Sequence, residues 1–204
     1  IGMFWYAYAP AGTDANTSNL YQFSTVSETE NMCWLAQDPN QSDPFYMDDT
    51  TQFYSIPCQD VTTTSITDST RLTQSDPDYW VGACVMVWLQ GNLVAARSIT
   101  GFDPSTDTIT FASTTAPYTD RDELYALYNH ISLLDQAGEY YFNDTAEADG
   151  THKVYLWPPA GNPNTNSVSI SVPAARTRAF YVGNKSHLVF DGFTMQKFAG
   201  AGEV

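Results

Sequence analysis

Basic side chains are scarce in this chain of 204 residues: eight lysines and arginines stand against 23 aspartates and glutamates, a formal net charge of −15. Such a surface repels a phosphate backbone, so nucleic acid is not an expected partner. Anionic membrane surfaces are disfavoured for the same reason, and no apolar run approaches the roughly 18 residues of a spanning helix. Membrane insertion is therefore not expected. Cysteine is sparse too, and Cys33, Cys58 and Cys84 are spaced too widely for a CxxC metal knuckle. One bridge with one thiol, or three buried thiols, are both open; the apolar run VGACVMVWL (81–89) around Cys84 favours thiols. Helical periodicity is almost lacking. Only residues 120–131 carry helix formers at suitable spacing, which predicts one short helix at most. The chain begins at Ile1 without a charged leader segment or a small-residue cleavage site, so any signal peptide is expected to have been removed or to lie outside this sequence.

Bulky apolar residues, in contrast, are plentiful. Hydrophobic residues make up 43% and aromatic residues 14% of the chain, far above sequences that stay disordered for lack of burial. They come as short β-branched or aromatic runs punctuated by Gly, Pro, Asn and Asp, which predicts many strands joined by tight turns and an all-β fold. The expected strands cover residues 3–8, 31–37, 52–56, 80–89, 92–100, 108–112, 140–142, 153–157, 167–172, 179–182 and 187–195. Gln90-Gly91-Asn92 reads as a hairpin turn, and FDPSTD (102–107) places Pro104 at the second turn position, so residues 80–111 should form a three-stranded meander. The Thr-rich stretch 59–74 and the Gly/Pro/Asn-rich stretch 160–166 read as solvent-exposed loops. Scarce lysine, abundant Thr, Ser, Asn and Asp, and the Asn-x-Ser/Thr triplets at Asn16, Asn143 and Asn184 favour an extracellular location.

Residues 179–200 carry a different rhythm, two short strands broken by Gly-Asn and Asp-Gly, as in a coil of a parallel β-helix. This divides the expectation into a β-rich, meander- or barrel-like accessory domain over residues 1–172 and the first coil of a β-helix over 173–204. A lone coil cannot bury its apolar face without stacked neighbours, so self-association through the exposed β-helix end is a further expectation, beside continuation of the same polypeptide.

Several segments resemble a known group. LDQAGEYYF (134–142), KVYLWPP (153–159) and LVFDGFT (188–194) resemble the LDxPGEWYYD, LYLWPP and IxGF succession of secreted right-handed parallel β-helix repeat proteins of the pectate-lyase-like type. CWLAQDPN (33–40) resembles the LxLARYPN segment upstream of it. The order of the pieces agrees across residues 33–200, with Ala137 standing where Pro is usual and Tyr where the family often has Trp. The resemblance implies a β-rich insertion between the first coils and the main solenoid of a carbohydrate-active parent, either a polysaccharide lyase or a glycoside hydrolase. It also implies a sugar cleft along later coils, beyond Val204. The function expected is thus a segment of a secreted protein that binds or cleaves a polysaccharide, with catalysis outside these residues. The alternative is a structural extracellular filament, surface-layer or tail-fibre subunit on the same scaffold.

Individual side chains add candidate contacts. Asp135 and Glu139 invite comparison with the two carboxylates of glycoside cleavage, which must flank the bond; their place in a turn favours a bracing role through backbone amides instead. Arg176, Arg178, Lys185, His187 and Lys197 cluster late in the chain and would suit an acidic sugar, against a plainer reading as solvated loop charges. Trp157, and with it Trp5, Tyr6 and Tyr8, would offer flat faces to a sugar, although core packing is the commoner fate and the run GMFWYAY (2–8) suits a strand buried on both sides. The binding residues selected are Trp157, Arg176, Arg178, His187 and Lys197. His130 and His152 are isolated, with no zinc spacing. No cofactor is expected, calcium apart: Asp43, Asp48 and Asp49, like Asp144, Glu147 and Asp149, supply hard oxygen ligands without EF-hand or RTX spacing, and a solvated acidic loop is the plainer outcome.

Overall fold

Strands dominate the molecule as its β-branched and aromatic runs require. The computed structural model describes residues 4–13, 20–40, 54–56, 61–90, 93–116, 123–170, 183, 186–189, 191 and 192. Among these residues no helix is long and apolar enough to cross a membrane, and a single 3-10 turn, Ile131–Leu133, is the helical content. The chain forms two units: Ile1–Trp34 with Ala137–Val204, and Leu35–Gln136.

The unit Leu35–Gln136 is built on one sheet. Its strands are β5 (Gln37–Asp38), β6 (Tyr54–Ile56), β7 (Ser65–Thr67), β8 (Cys84–Gln90), β9 (Leu93–Asp103), β10 (Thr108–Phe111) and β11 (Glu123–Tyr128), in the order β5-β11-β8-β9-β10-β7 with β6 also on β11. These ladders are antiparallel. The meander β8-β9-β10 is the one expected from its turns. Asp103 Oδ1 accepts the Ser105 N–H at 2.9 Å and the Ser105 hydroxyl at 2.7 Å, holding Pro104 in the connection to β10 and keeping the Asp103 carboxyl below its usual range. Residues 91 and 92 of the other hairpin lie outside the described residues.

The predicted helix over 120–131 is overturned. Residues Glu123–Tyr128 form the strand β11, paired with β5, β6 and β8. Tyr125, Ala126 and Leu127 are buried in succession, so both faces of this central strand are covered and the alternation that would mark a strand is erased. The buried Tyr125 hydroxyl donates to Asp68 Oδ2 at 2.8 Å, while Asp68 Oδ1 accepts from the N–H groups of Thr70 and Arg71 at 2.8 and 3.2 Å. The stretch expected to be an exposed loop thus sends a strand, β7, and a buried carboxylate into the core.

The other unit carries two sheets. One has the order β1 (Trp5–Ala9), β13 (His152–Leu156), β12 (Glu139–Phe142), β4 (Trp34–Leu35); the second has β14 (Val168–Ile170), β2 (Leu20–Ser24), β3 (Thr29–Met32). Gln22, fully buried on β2, ties down the loop before β14: its amide donates to the carbonyls of Gly161 and Asn166 at 3.0 and 3.3 Å and accepts from Ala160 N–H at 2.9 Å. Asn166 is buried too, so the stretch 160–166 is anchored inward rather than simply solvated. Cys33 and Cys84 are buried thiols; Cys58 lies outside the described residues. Burial pushes the Cys33 thiol up to about 12. Of the expected late strands, 179–182 lies outside the described residues, and the described part of 187–195 is not in a strand.

Candidate functional site

Register decides which side chains share a face. Tyr6 lies opposite Tyr155 and Tyr8 opposite Lys153 across the β1–β13 ladder, and Tyr141 lies opposite Tyr155 across β12–β13. Directly opposed residues point the same way, and side chains alternate along a strand. Phe4, Tyr6, Tyr8, Tyr141, Lys153, Tyr155 and Trp157 therefore occupy one face, while Val154, Leu156, Tyr140 and Phe142 are buried on the other. The rings meet in two groups, the four tyrosines and the Phe4–Trp157 pair. Tyr141 and Tyr155 are 5.8 Å apart between centroids and stacked, Tyr155 and Tyr6 are 5.9 Å apart, Tyr6 and Tyr8 are 6.3 Å apart, and Phe4 meets Trp157 edge-on at 5.7 Å.

This face is open. Tyr6, Tyr8 and Phe4 are 63%, 55% and 45% exposed, which overturns the reading of the first strand as buried on both sides. Burial, followed by the nearby Asp144 carboxylate and Tyr155, raises the pKa of Tyr141, so its phenol keeps its proton. At one end the Lys153 ammonium lies 5.6 Å from the Tyr8 ring centroid and 3.2 Å from Glu147 Oε1. Asp149, in the same acidic loop, accepts the N–H and hydroxyl of Thr151 at 3.0 and 2.6 Å. Two carboxylates of the second proposed acidic cluster are thus used in an ion pair and a turn. Among the described residues no group of three or more His, Cys, Asp and Glu side chains is placed to hold a metal ion.

Trp157 belongs to this array. Its backbone N–H donates to the Glu139 carbonyl at 2.9 Å and its backbone carbonyl accepts from the Gly138 N–H at 2.8 Å, which continues the β12–β13 ladder and sets the indole beside Phe4. His187 is exposed with a left-handed backbone (φ 60°), and none of the described contacts joins it to Trp157. Arg176, Arg178, Lys185 and Lys197, and the calcium candidates Asp43, Asp48 and Asp49, lie outside the described residues. Glu139 is fully buried, so its carboxyl cannot meet a glycan from solvent, and Asp135 accepts from Asn40 Nδ2 at 2.8 Å. Sequence reading passed over Phe4, Tyr141 and Tyr155, whose signal is only the parity of their positions relative to Tyr6 and Trp157.

Trp5 points to the opposite side of β1. It lines a groove of about 270 Å³ together with Leu20, Val154, Leu156, Pro163, Asn164 and Val168. The groove is predominantly apolar and presents no acid, base or cation.

No protein-family model matches the chain, and no curated protein sequence matches it. A solved structure titled "Glycoside hydrolase" is similar at 17% identity with a TM-score of 0.48; the match covers 82% of this chain and 28% of that one.

Proposed function

We propose that this chain is a polysaccharide-binding segment of a secreted carbohydrate-active protein, with the outward aromatic face of β1, β13 and β12 as the binding platform and bond cleavage left to residues outside the segment. The observation that carries the reading is the co-facial array of Phe4, Tyr6, Tyr8, Tyr141, Tyr155 and Trp157, three of them strongly exposed. Contiguous exposed aromatic surface is uncommon on a molecule with no use for it. Sugar rings suit this surface because their axial C–H groups form apolar patches that settle on π faces, while Tyr hydroxyls and the indole N–H bond to the sugar hydroxyls. The sequence resemblance to secreted β-helix proteins points in the same direction.

Affinity electrophoresis and calorimetry of the chain against xyloglucan, mannan, xylan and polygalacturonate provide the test. Tyr6 and Tyr8 are too exposed to support the core, so Tyr6→Ala and Tyr8→Ala should leave the thermal midpoint in place. Each should weaken glycan binding about fivefold to tenfold, the loss of roughly one aromatic contact. A wild-type chain that binds none of the glycans overturns the proposal.

A further inference from the structure

We infer that the glycan taken by this aromatic face is uncharged, a neutral polysaccharide rather than a uronate polymer; the inference rests on the reading of the face as a glycan platform. A uronate carboxylate is held most strongly by a cation free to meet it, best a guanidinium presenting two parallel N–H groups. Lys153 is the one lysine or arginine among the described residues of this unit, and its ammonium is already within 3.2 Å of Glu147. The same ammonium sits against the Tyr8 ring, so the pair holds it along the platform's rim rather than leaving it available. An incoming carboxylate would compete with Glu147 for the ammonium, and would approach Asp144 beside Tyr141 as well.

Exposure of both partners, 30% and 40% at the side chain, keeps the Lys153–Glu147 attraction small in free energy. Its consequence for specificity is larger than its strength, because the pair engages the one lysine or arginine among the described residues of this unit while a chain of net charge −15 repels anions at longer range. A neutral sugar meets neither obstacle. It also gains the aromatic contacts, which do not depend on ionic strength.

The test separates the ligand's charge from the existence of the platform. Binding of xyloglucan and of polygalacturonate is measured for wild type, Tyr6→Ala and Glu147→Gln at about 50 mM and about 500 mM salt, either side of strong screening. Only the component lost in Tyr6→Ala is assigned to the aromatic face. The expected result is Tyr6-dependent binding of xyloglucan whose Kd moves less than about twofold with salt, and no Tyr6-dependent binding of polygalacturonate. Releasing Lys153 by Glu147→Gln should then bring Tyr6-dependent polygalacturonate binding into the detectable range at low salt only, as one exposed charge contact would. Tyr6-dependent, salt-sensitive binding of polygalacturonate by wild type overturns the inference and leaves the platform intact. Failure to bind either polymer overturns the platform and the inference together. A Glu147→Gln chain with unchanged polygalacturonate binding shows that Glu147 does not set the charge preference.

Discussion

A methyl group at position 138 has no room. A Cβ built there would overlap the Trp34 indole, and the backbone sits at φ +102°, a region that side chains avoid. Gly138 is thus what lets β4 lie against β12, with the Trp34 backbone N–H donating to the Gly138 carbonyl at 3.0 Å. Gly138→Ala should cost about 3 kcal/mol or more, from overpacking and backbone strain combined. The measurement is the urea midpoint of the chain; an unchanged midpoint would show that Trp34 swings aside freely. Sequence reading locates Gly138 inside the LDQAGEYYF segment by resemblance. It does not supply the reason, because the indole that forbids a side chain comes from a distant part of the chain.

Among the elements, legibility follows how local the determining forces are. The β8-β9-β10 meander can be read because apolar runs and Asp-Pro turn chemistry are adjacent in sequence. The ladder β2–β3 escapes such reading: LYQFS and TENM carry polar residues, and Gln22 is buried only because a loop far along the chain satisfies its amide. β11 is mistaken for a helix because burial on both faces removes its period. The aromatic face is half legible in the same way. The residues of β1 and Trp157 stand out as aromatics, but the register with β13 decides which of them face solvent. Beyond β11, His130 caps the 3-10 turn Ile131–Leu133: its Nδ1 accepts the Ser132 N–H at 3.3 Å, and its ring lies 5.1 Å from those of both Tyr79 and Trp80. Burial holds its pKa below the ordinary 6.5, with a backbone hydrogen bond to Tyr79 opposing. The unfolded chain therefore takes up this proton first as pH falls. The His130 contribution to stability is complete above about 6.5 and is lost as pH drops toward the depressed native value. Asp38, whose pKa burial raises, works in the opposite sense at lower pH. The difference between wild type and His130→Asn isolates the histidine: urea midpoints at pH 7 and pH 5 should fall further for wild type, since asparagine keeps a capping acceptor without titrating. Parallel falls in the two chains would contradict this assignment.

At the scale of the whole molecule, the unit Leu35–Gln136 is one continuous segment placed within the discontinuous other unit. Its ends are held together inside it. Gln37 and Asp38 pair with Tyr128 and Leu127, Asn129 N–H donates to the Ala36 carbonyl at 2.8 Å, and Asn40 donates to Asp135. An insertion closed in this way needs no Pro- or Gly-rich linker, so composition leaves no mark at residues 34–35 or 136–137. The excised segment 35–136 should fold alone, with a β-type circular dichroism spectrum and one cooperative urea transition. A noncooperative profile, or collapse into aggregates at every concentration, would contradict its autonomy. The clasp also bears on the order of assembly. Trp5 must find Leu156 to start the β1–β13 ladder, and about two thirds of the chain between them is the inserted segment. When that segment folds first, its clasped ends act as a short circuit across the intervening chain. The conformational search for the β1 edge shrinks accordingly, by about 1 kcal/mol of closure entropy for a threefold shorter effective loop. The aromatic face, which exists only once β1 is in register, is then a late product of folding whose timing is set by a part of the chain that contributes no ring to it.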